Sequence, residues 1–234
     1  MSRYVIDSQG LKENIEYIKE KAGVPVIGVV KGNGYGFGIC ELTKVLLENG
    51  IKAFAVTEVT DIPVLKEILS DENDILIMRS TCIEAEAKII AENGCIATIG
   101  SSEACRIMNE VSKKLGVKTK CHLKIDTGMG RYGFMPSQIQ EAIDCYKASN
   151  LEFCGIYTHF SSAFRNAELT KAQLTIFKDC ISQIQKAGYE TGVAHCSNSP
   201  ALLNVDGVSM DAVRIGSAFT GRVIIKSKTP LHRL

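Results

Sequence analysis

The chain has 234 residues, 45% hydrophobic and 23% charged, with a formal net charge of +1. This is the composition of an ordinary globular protein with room for a large core. A near-neutral charge with no run of like charges and no basic stripe argues against nucleic acid as a partner. The longest apolar run, near Val24 to Val30, is too short to span a bilayer, and the opening MSRYVIDSQG has no signal core, so a cytoplasmic protein with no membrane partner is expected.

Along the chain, short β-branched runs alternate with amphipathic stretches. Leu11, Ile15 and Ile18 recur at helical spacing within Ser8 to Ala22. VIGVVK (26–31) reads as a buried strand, followed by a glycine loop and a helix over 39–49 that stops at Asn49-Gly50. AFAV (53–56) is a strand with a helix to about 69, and DILIMR (74–79) a strand with a helix over 83–93. CIATIG (95–100) precedes a helix over 102–115, and KCHLKID (120–126) a helix from Ser137 to about 148. FCGIYTHF (153–160) precedes a helix over 168–187, GVAHCS (192–197) a short helix, and MDAVRIG (210–216) closes the series. Eight strands of similar length separated by helices predict a parallel sheet closed into an α/β barrel of the (β/α)₈ TIM type, which typically needs about 250 residues. The tail RVIIKSKTPLHRL reads as the start of another strand. Nine cysteines with no C-x-x-C pair read as small buried hydrophobes in a reducing compartment, with no metal site expected.

Chemistry in such a barrel sits where strands end. The polar residues there are Lys31, Arg79, Lys124, Asp126, Arg131, His159, Ser197, Asn198, Ser199, Arg214 and Gly216. Lys31 ends an apolar strand, so its amine is expected in a partly dry pocket, where burial lowers its pKa toward the neutral form that attacks carbonyl carbon. The loop Gly32-Asn33-Gly34-Tyr35-Gly36-Phe37-Gly38 does not fit a dinucleotide fingerprint, which needs glycine at 37, nor a Walker loop, since no Gly-Lys-Ser/Thr occurs. It reads as a pliant loop presenting the Tyr35 hydroxyl.

VVKGNGYGFG (29–38) resembles the cofactor-lysine motif of the alanine racemase family, the fold-type III enzymes that bind pyridoxal 5′-phosphate. Four further segments are similar to the family's motifs in the same order: KIDTGMGRYG (124–133), YTHF (157–160), HCSNS (195–199) and VRIGS (213–217). The resemblance implies a Schiff base on Lys31, which would serve as one of two bases, and Arg131 beside the cofactor's phenolic oxygen and the substrate carboxylate. It implies His159 facing the ring, Tyr35, Ser199, Gly216 and Ser217 around the phosphate, and Asn198 among the cofactor-binding residues. Arg214 would donate to the pyridine nitrogen; an always-charged arginine leaves that nitrogen largely unprotonated, which suits proton exchange at Cα over transamination. Lys124 matches a lysine that is carbamylated in some members. His195 reads as structural, and His122 and His232 have no supporting context.

The family's barrel is followed by a β-domain that supplies the second base, and the longer form is a homodimer. The resemblance therefore implies a PLP-binding barrel over residues 1–225 and the start of that domain over 226–234, as either a fragment of an amino-acid racemase, alanine being the expected substrate, or a single-domain relative. Phe37, Phe164 and Thr220 replace the family's usual histidine, aspartate and tyrosine. A non-catalytic PLP-homeostasis barrel and a phosphate-sugar barrel enzyme are the alternative readings.

Overall fold

The computed structural model describes residues 7–224 and 229–234. Its strands are β1 (Val26–Val29), β2 (Ala53–Val56), β3 (Asp74–Ile77), β4 (Ala97–Ile99), β5 (Thr119–Lys124), β6 (Leu151–Tyr157), β7 (Val193–His195) and β8 (Val213–Ile215). All pair in parallel, in the orders β3-β2-β1-β8 and β4-β5-β6-β7. Single parallel bridges, Leu76 to Ile96 and His195 to Ala212, join the two sheets at both seams. The circle of eight is thereby closed, and the expected (β/α)₈ barrel is what forms.

Helices pack outside the barrel because their apolar residues recur on one face. Leu11, Ile15, Ile18 and Ala22 are the buried apolar positions of Ser8–Ala22, a helix whose first amides at Gln9 and Gly10 bond to the Asp7 carboxylate. Ser101 and Asn166 cap Ser102–Leu115 and Ala167–Lys186 in the same way. Two helices are shorter than the sequence suggests. After β2 the chain makes a 3₁₀ turn, Val59–Asp61, before Ile62–Lys66; after β5, Pro136–Gln138 is 3₁₀ and the α-helix is only Ile139–Cys145. The amides of Tyr146, Lys147 and Ala148 bond three residues back, which tightens the last turn into 3₁₀ geometry. Among the described residues no helix is long and apolar enough to cross a membrane.

Strand parity divides the interior. Ile27, Val29, Ala55, Leu76, Met78, Ile96 and Ala212 form a small apolar cluster separate from the main core between strands and helices. On the β5–β8 side the buried residues His122, Lys124, Tyr157, His195 and Arg214 are polar. Alternate residues of a strand share a face, so Ile27 and Val29 put Lys31 on the same inward row.

The glycine segment after β1 is a regular turn. Gly32, Asn33 and Gly34 lie at φ/ψ of 61/47, 52/51 and 61/40, and Tyr35 at φ 56, which is one left-handed helical turn. The Asn33 carboxamide locks it by accepting from the Ile39 amide at 3.0 Å. An L-residue in this region costs about 1–2 kcal/mol, which explains the alternating glycines. A Cβ at Gly32 would meet nothing within 4 Å. Gly32→Ala is therefore expected to lose about 1 kcal/mol in urea denaturation, from backbone strain alone.

All nine cysteines are free thiols; six are buried, Cys40 and Cys154 are half-buried, and Cys82 is exposed, contrary to the all-buried expectation. The further strand expected in the tail falls partly on residues 225–228, outside the described residues. Residues 229–234 carry no strand and return to the first helix, where His232 N–H donates to Asn14 Oδ1 and Asn14 Nδ2 donates to the His232 carbonyl.

Candidate functional site

The C-terminal ends of the strands open onto a cavity of about 320 Å³. Lys31, Tyr35, Arg131, His159, Asn198, Ser199, Arg214, Gly216 and Ser217 all line it. The structure thus gathers every site residue named above into one place. Of the other strand-end residues, Arg79 is held by Glu58 and Glu86 at 3.3 and 2.8 Å, and the Ser197 hydroxyl donates to the Val208 carbonyl.

Lys31 stands at the top of the inward row of β1. Burial, and then the positive charge of Arg131, hold its amine below the usual lysine range. Arg131, exposed at its surface, lines the cavity with its guanidinium 5.1 Å from the Tyr132 ring centroid. Its loop is folded around Asp126, whose carboxylate accepts from the amides of Gly128, Met129 and Arg131 at 2.9, 2.7 and 3.0 Å. Asp126 therefore shapes the loop and does not face the cavity as an acid. Its carboxyl lies below the usual range because those amides, followed by Lys124, outweigh its burial.

One wall of the cavity can hold an anion. The Ser199 hydroxyl accepts from the amides of Gly216 and Ala218 at 3.2 and 3.4 Å. A Cβ on Gly216 would sit 2.1 Å from the Tyr35 hydroxyl oxygen, so glycine is what lets that hydroxyl close over the same turn. Burial pushes the Tyr35 phenol up to about 12, which keeps it a donor. Two hydroxyls meet here over this turn, and no carboxylate among the described residues lines the cavity, a setting that suits a phosphate.

Arg214 is buried, and its two Nη atoms are fixed by the protein. Nη1 donates to His195 Nδ1 at 2.6 Å and to the His195 carbonyl at 3.0 Å. Nη2 donates to the carbonyls of Thr158 and Cys196 at 2.7 and 3.3 Å. Among the described residues Nε–H has no partner, and it is the group left for a ligand in the cavity. Burial lowers the pKa of Arg214 from the usual arginine value. His159 approaches from β6, with Asn198 Nδ2 at 3.3 Å from its Nε2 and Arg214 Nη2 at 3.5 Å from its Nδ1. Burial, then the cations Arg214, Arg131, Lys124 and Lys31, hold His159 neutral, with a pKa of about 2.

Sequence reasoning missed Tyr132 and Tyr157, whose hydroxyls both donate to the Met78 carbonyl at 2.5 and 2.8 Å and tie the residue after β3 to the loop after β5 and to β6. Nothing local in the sequence pointed to a partner near β3.

Lys124 lies under the cavity floor, 1% exposed, with Nζ donating to the Ile125 carbonyl and lying 5.7 and 5.5 Å from the rings of Tyr132 and Tyr157. Burial brings its pKa down to about 7; Asp126 opposes the shift, and Arg214 and Arg131 add to it. The unfolded chain holds this proton up to about pH 10.4, so between pH 7 and that value unfolding takes up a proton and stability rises with pH. Lys124→Met is expected to flatten that rise and to lift the melting temperature at pH 7 by roughly 5 °C, read by calorimetry. Unchanged pH dependence would sink the assignment.

The chain matches the family model described as "Alanine racemase, N-terminal domain" over residues 6–223. It is 31% identical over 221 residues to an alanine racemase of Methanococcus maripaludis, covering 92% of this chain and 59% of that protein. It superposes on the alanine racemase of Clostridium difficile 630 with a TM-score of 0.84 at 29% identity, over 91% of this chain and 56% of that one. The alanine racemase of Bartonella henselae with covalently bound pyridoxal phosphate shares the fold at a TM-score of 0.86 and 24% identity, over 97% of this chain and 65% of that one. The chain thus spans a little over half the length of the curated relatives it matches.

Proposed function

The chain belongs to the alanine racemase family through its N-terminal domain, and from that premise we propose that it holds pyridoxal 5′-phosphate on Lys31 and exchanges the α-proton of an amino acid, alanine first. One observation carries the reading: a lysine amine kept toward neutrality, an anion cup built by Tyr35, Ser199 and Gly216, and the Nε–H of Arg214 all open onto a single cavity. The Bartonella henselae relative with covalently bound pyridoxal phosphate supports the cofactor.

When bound, the cofactor supplies a conjugated ring that draws off the electron pair left at the substrate's α-carbon. The remaining work falls to the protein. Lys31 would hold the cofactor through its aldehyde carbon, and its amine, displaced there by the substrate's amino group, would take or return a proton at Cα on its own face. Arg131 receives the substrate carboxylate, a task suited to a planar two-pronged donor. Tyr35, Ser199 and the amides of Gly216 and Ser217, with Asn198 behind them, fix the phosphate end. Arg214 donates to the ring nitrogen and cannot take a proton from it. His159, neutral at any working pH, packs against the ring without adding charge. Phe160, Phe164 and Ala163 make an apolar wall suited to a small side chain.

The test is direct. Purified chain is mixed with the cofactor, reduced with borohydride and mapped by peptide, and exchange of L-alanine into D-alanine is followed on this chain and on a form extended to the relatives' length. Label on Lys31 and exchange by the extended form are expected. Label elsewhere, or none, overturns the cofactor reading; label on Lys31 without exchange by the extended form overturns the racemase reading and favours a non-catalytic PLP-binding barrel.

A further inference from the structure

A row of hydrogen bonds runs down the barrel from Arg214. Its Nη1 contacts His195 Nδ1 at 2.6 Å, and His195 Nε2 contacts His122 Nδ1 at 2.9 Å. An arginine has donors only, so His195 Nδ1 accepts and its proton resides on Nε2. That proton is donated to His122 Nδ1, which leaves the second imidazole with its own proton on Nε2. The direction of the whole row is set by its first member. His122 ends at a second cavity, of about 290 Å³, at the opposite mouth of the barrel, lined by Ile27, Leu76, Ile96, Val193 and Ala212 among others.

The backbone around His122 is arranged to seat it. The β5–β6 register shifts between Cys121 and His122: Cys121 pairs with Phe153 but His122 pairs with Gly155, which leaves Cys154 as an extra residue. A bulge of this kind re-aims neighbouring side chains. It brings a glycine beside the imidazole, and a Cβ there would lie 2.4 Å from His122 Nε2. The bulged carbonyl of Cys154 in turn packs against Gly192, where a Cβ would lie 2.1 Å from it. A bulge and two glycines thus accommodate one ring. His122 is 6% and His195 0% exposed, and the Tyr157 ring stacks on His195 at 4.9 Å and 6°.

We infer that His122 is a positioning residue for the cofactor site, acting through His195 to hold the Arg214 guanidinium in the orientation that leaves Nε–H facing the cavity. The inference builds on the proposed function, but the tautomers can be read without any cofactor.

The experiment compares His122→Asn with His122→Leu. The two side chains have nearly the same shape, but only the asparagine places an acceptor where Nδ1 stood. In the cofactor-free wild type, ¹⁵N–¹H spectra of the imidazoles are expected to show both His122 and His195 protonated on Nε2. The slowly exchanging His195 Nε2–H signal is expected to persist in the asparagine variant and to vanish in the leucine variant. Affinity for pyridoxal 5′-phosphate and the absorbance band of the bound cofactor are expected to stay near wild type in the asparagine variant. In the leucine variant affinity drops about tenfold and the band shifts. A His195 protonated on Nδ1, or matching behaviour of the two variants in every readout, overturns the inference. If the chain binds no cofactor, the proposed function fails together with the inference, whereas a His195 protonated on Nδ1 overturns the inference alone.

Discussion

Lys31→Ala is expected to abolish borohydride-stable attachment of pyridoxal 5′-phosphate and to reduce amino-acid exchange by at least about 10³-fold, the scale of losing a positioned proton-transfer group. The fold is expected to survive. Lys31 is half-buried beside Arg131, and its amine is already held below its ordinary pKa, so removing it relieves one unfavourable charge contact. The anion cup does not involve the lysine: Ser199, Gly216 and Tyr35 keep their mutual contacts, and the variant should bind inorganic phosphate as the parent does. Retention of a covalent cofactor in this variant would move the attachment point to another amine. Lys124 is one such amine, but it is buried and its Nζ donates to a backbone carbonyl. A variant that binds phosphate but no longer traps the cofactor separates attachment from recognition; spectroscopy of the reduced protein and phosphate titration measure the two.

Acid is expected to unfold the cofactor-free chain in a window set by three imidazoles. Burial, followed by the charge of Arg214, lowers His122 to about 3; the same causes hold His195 well below its ordinary value; and His159 lies at about 2. In the unfolded chain each takes up a proton near pH 6.5. Below that pH the unfolded form carries up to three protons that the folded form lacks, so stability falls as the pH drops from 6.5 toward 3 and is fully retained above 6.5. Each histidine contributes at most about 1.4 kcal/mol per pH unit. Between pH 6.5 and 5 few carboxylates titrate, so this interval isolates the imidazoles. Urea denaturation at half-unit steps is expected to show a slope there that His122→Asn reduces by about a third. An identical slope in that variant would mean that His122 is not held neutral by the fold.

Much of the site was legible because it rests on parity and position. A lysine two residues beyond an inward-facing valine on β1 has only the barrel axis to occupy, and Arg214, two residues beyond Ala212, follows the same rule. Serine and glycine after the last two strands fall where barrels gather phosphate. What local reading could not supply were contacts between distant strands. His122 and His195 are 73 residues apart, and neither shows a local pattern that names the other. His195 read as structural and His122 as without context, whereas the barrel joins both to the residue expected to face the cofactor. The glycine segment was read as a loop, and its left-handed helical form, shared by Asn33 and Tyr35, could not be read from glycine spacing alone. The two shortened helices follow from 3₁₀ turns beside Pro63 and Pro136 and at the end of Ile139–Cys145, and apolar periodicity does not report those turns.

The left-handed turn at Gly32–Tyr35 has a stereochemical corollary. Its dihedrals are those that the mirror-image amino acids prefer, so the two enantiomers of alanine should bracket glycine at position 32. In protein assembled by chemical ligation, D-alanine there is expected to be more stable than the natural residue, since it restricts the unfolded chain without strain, and L-alanine less so. This short stretch of an otherwise L-configured barrel favours the opposite hand.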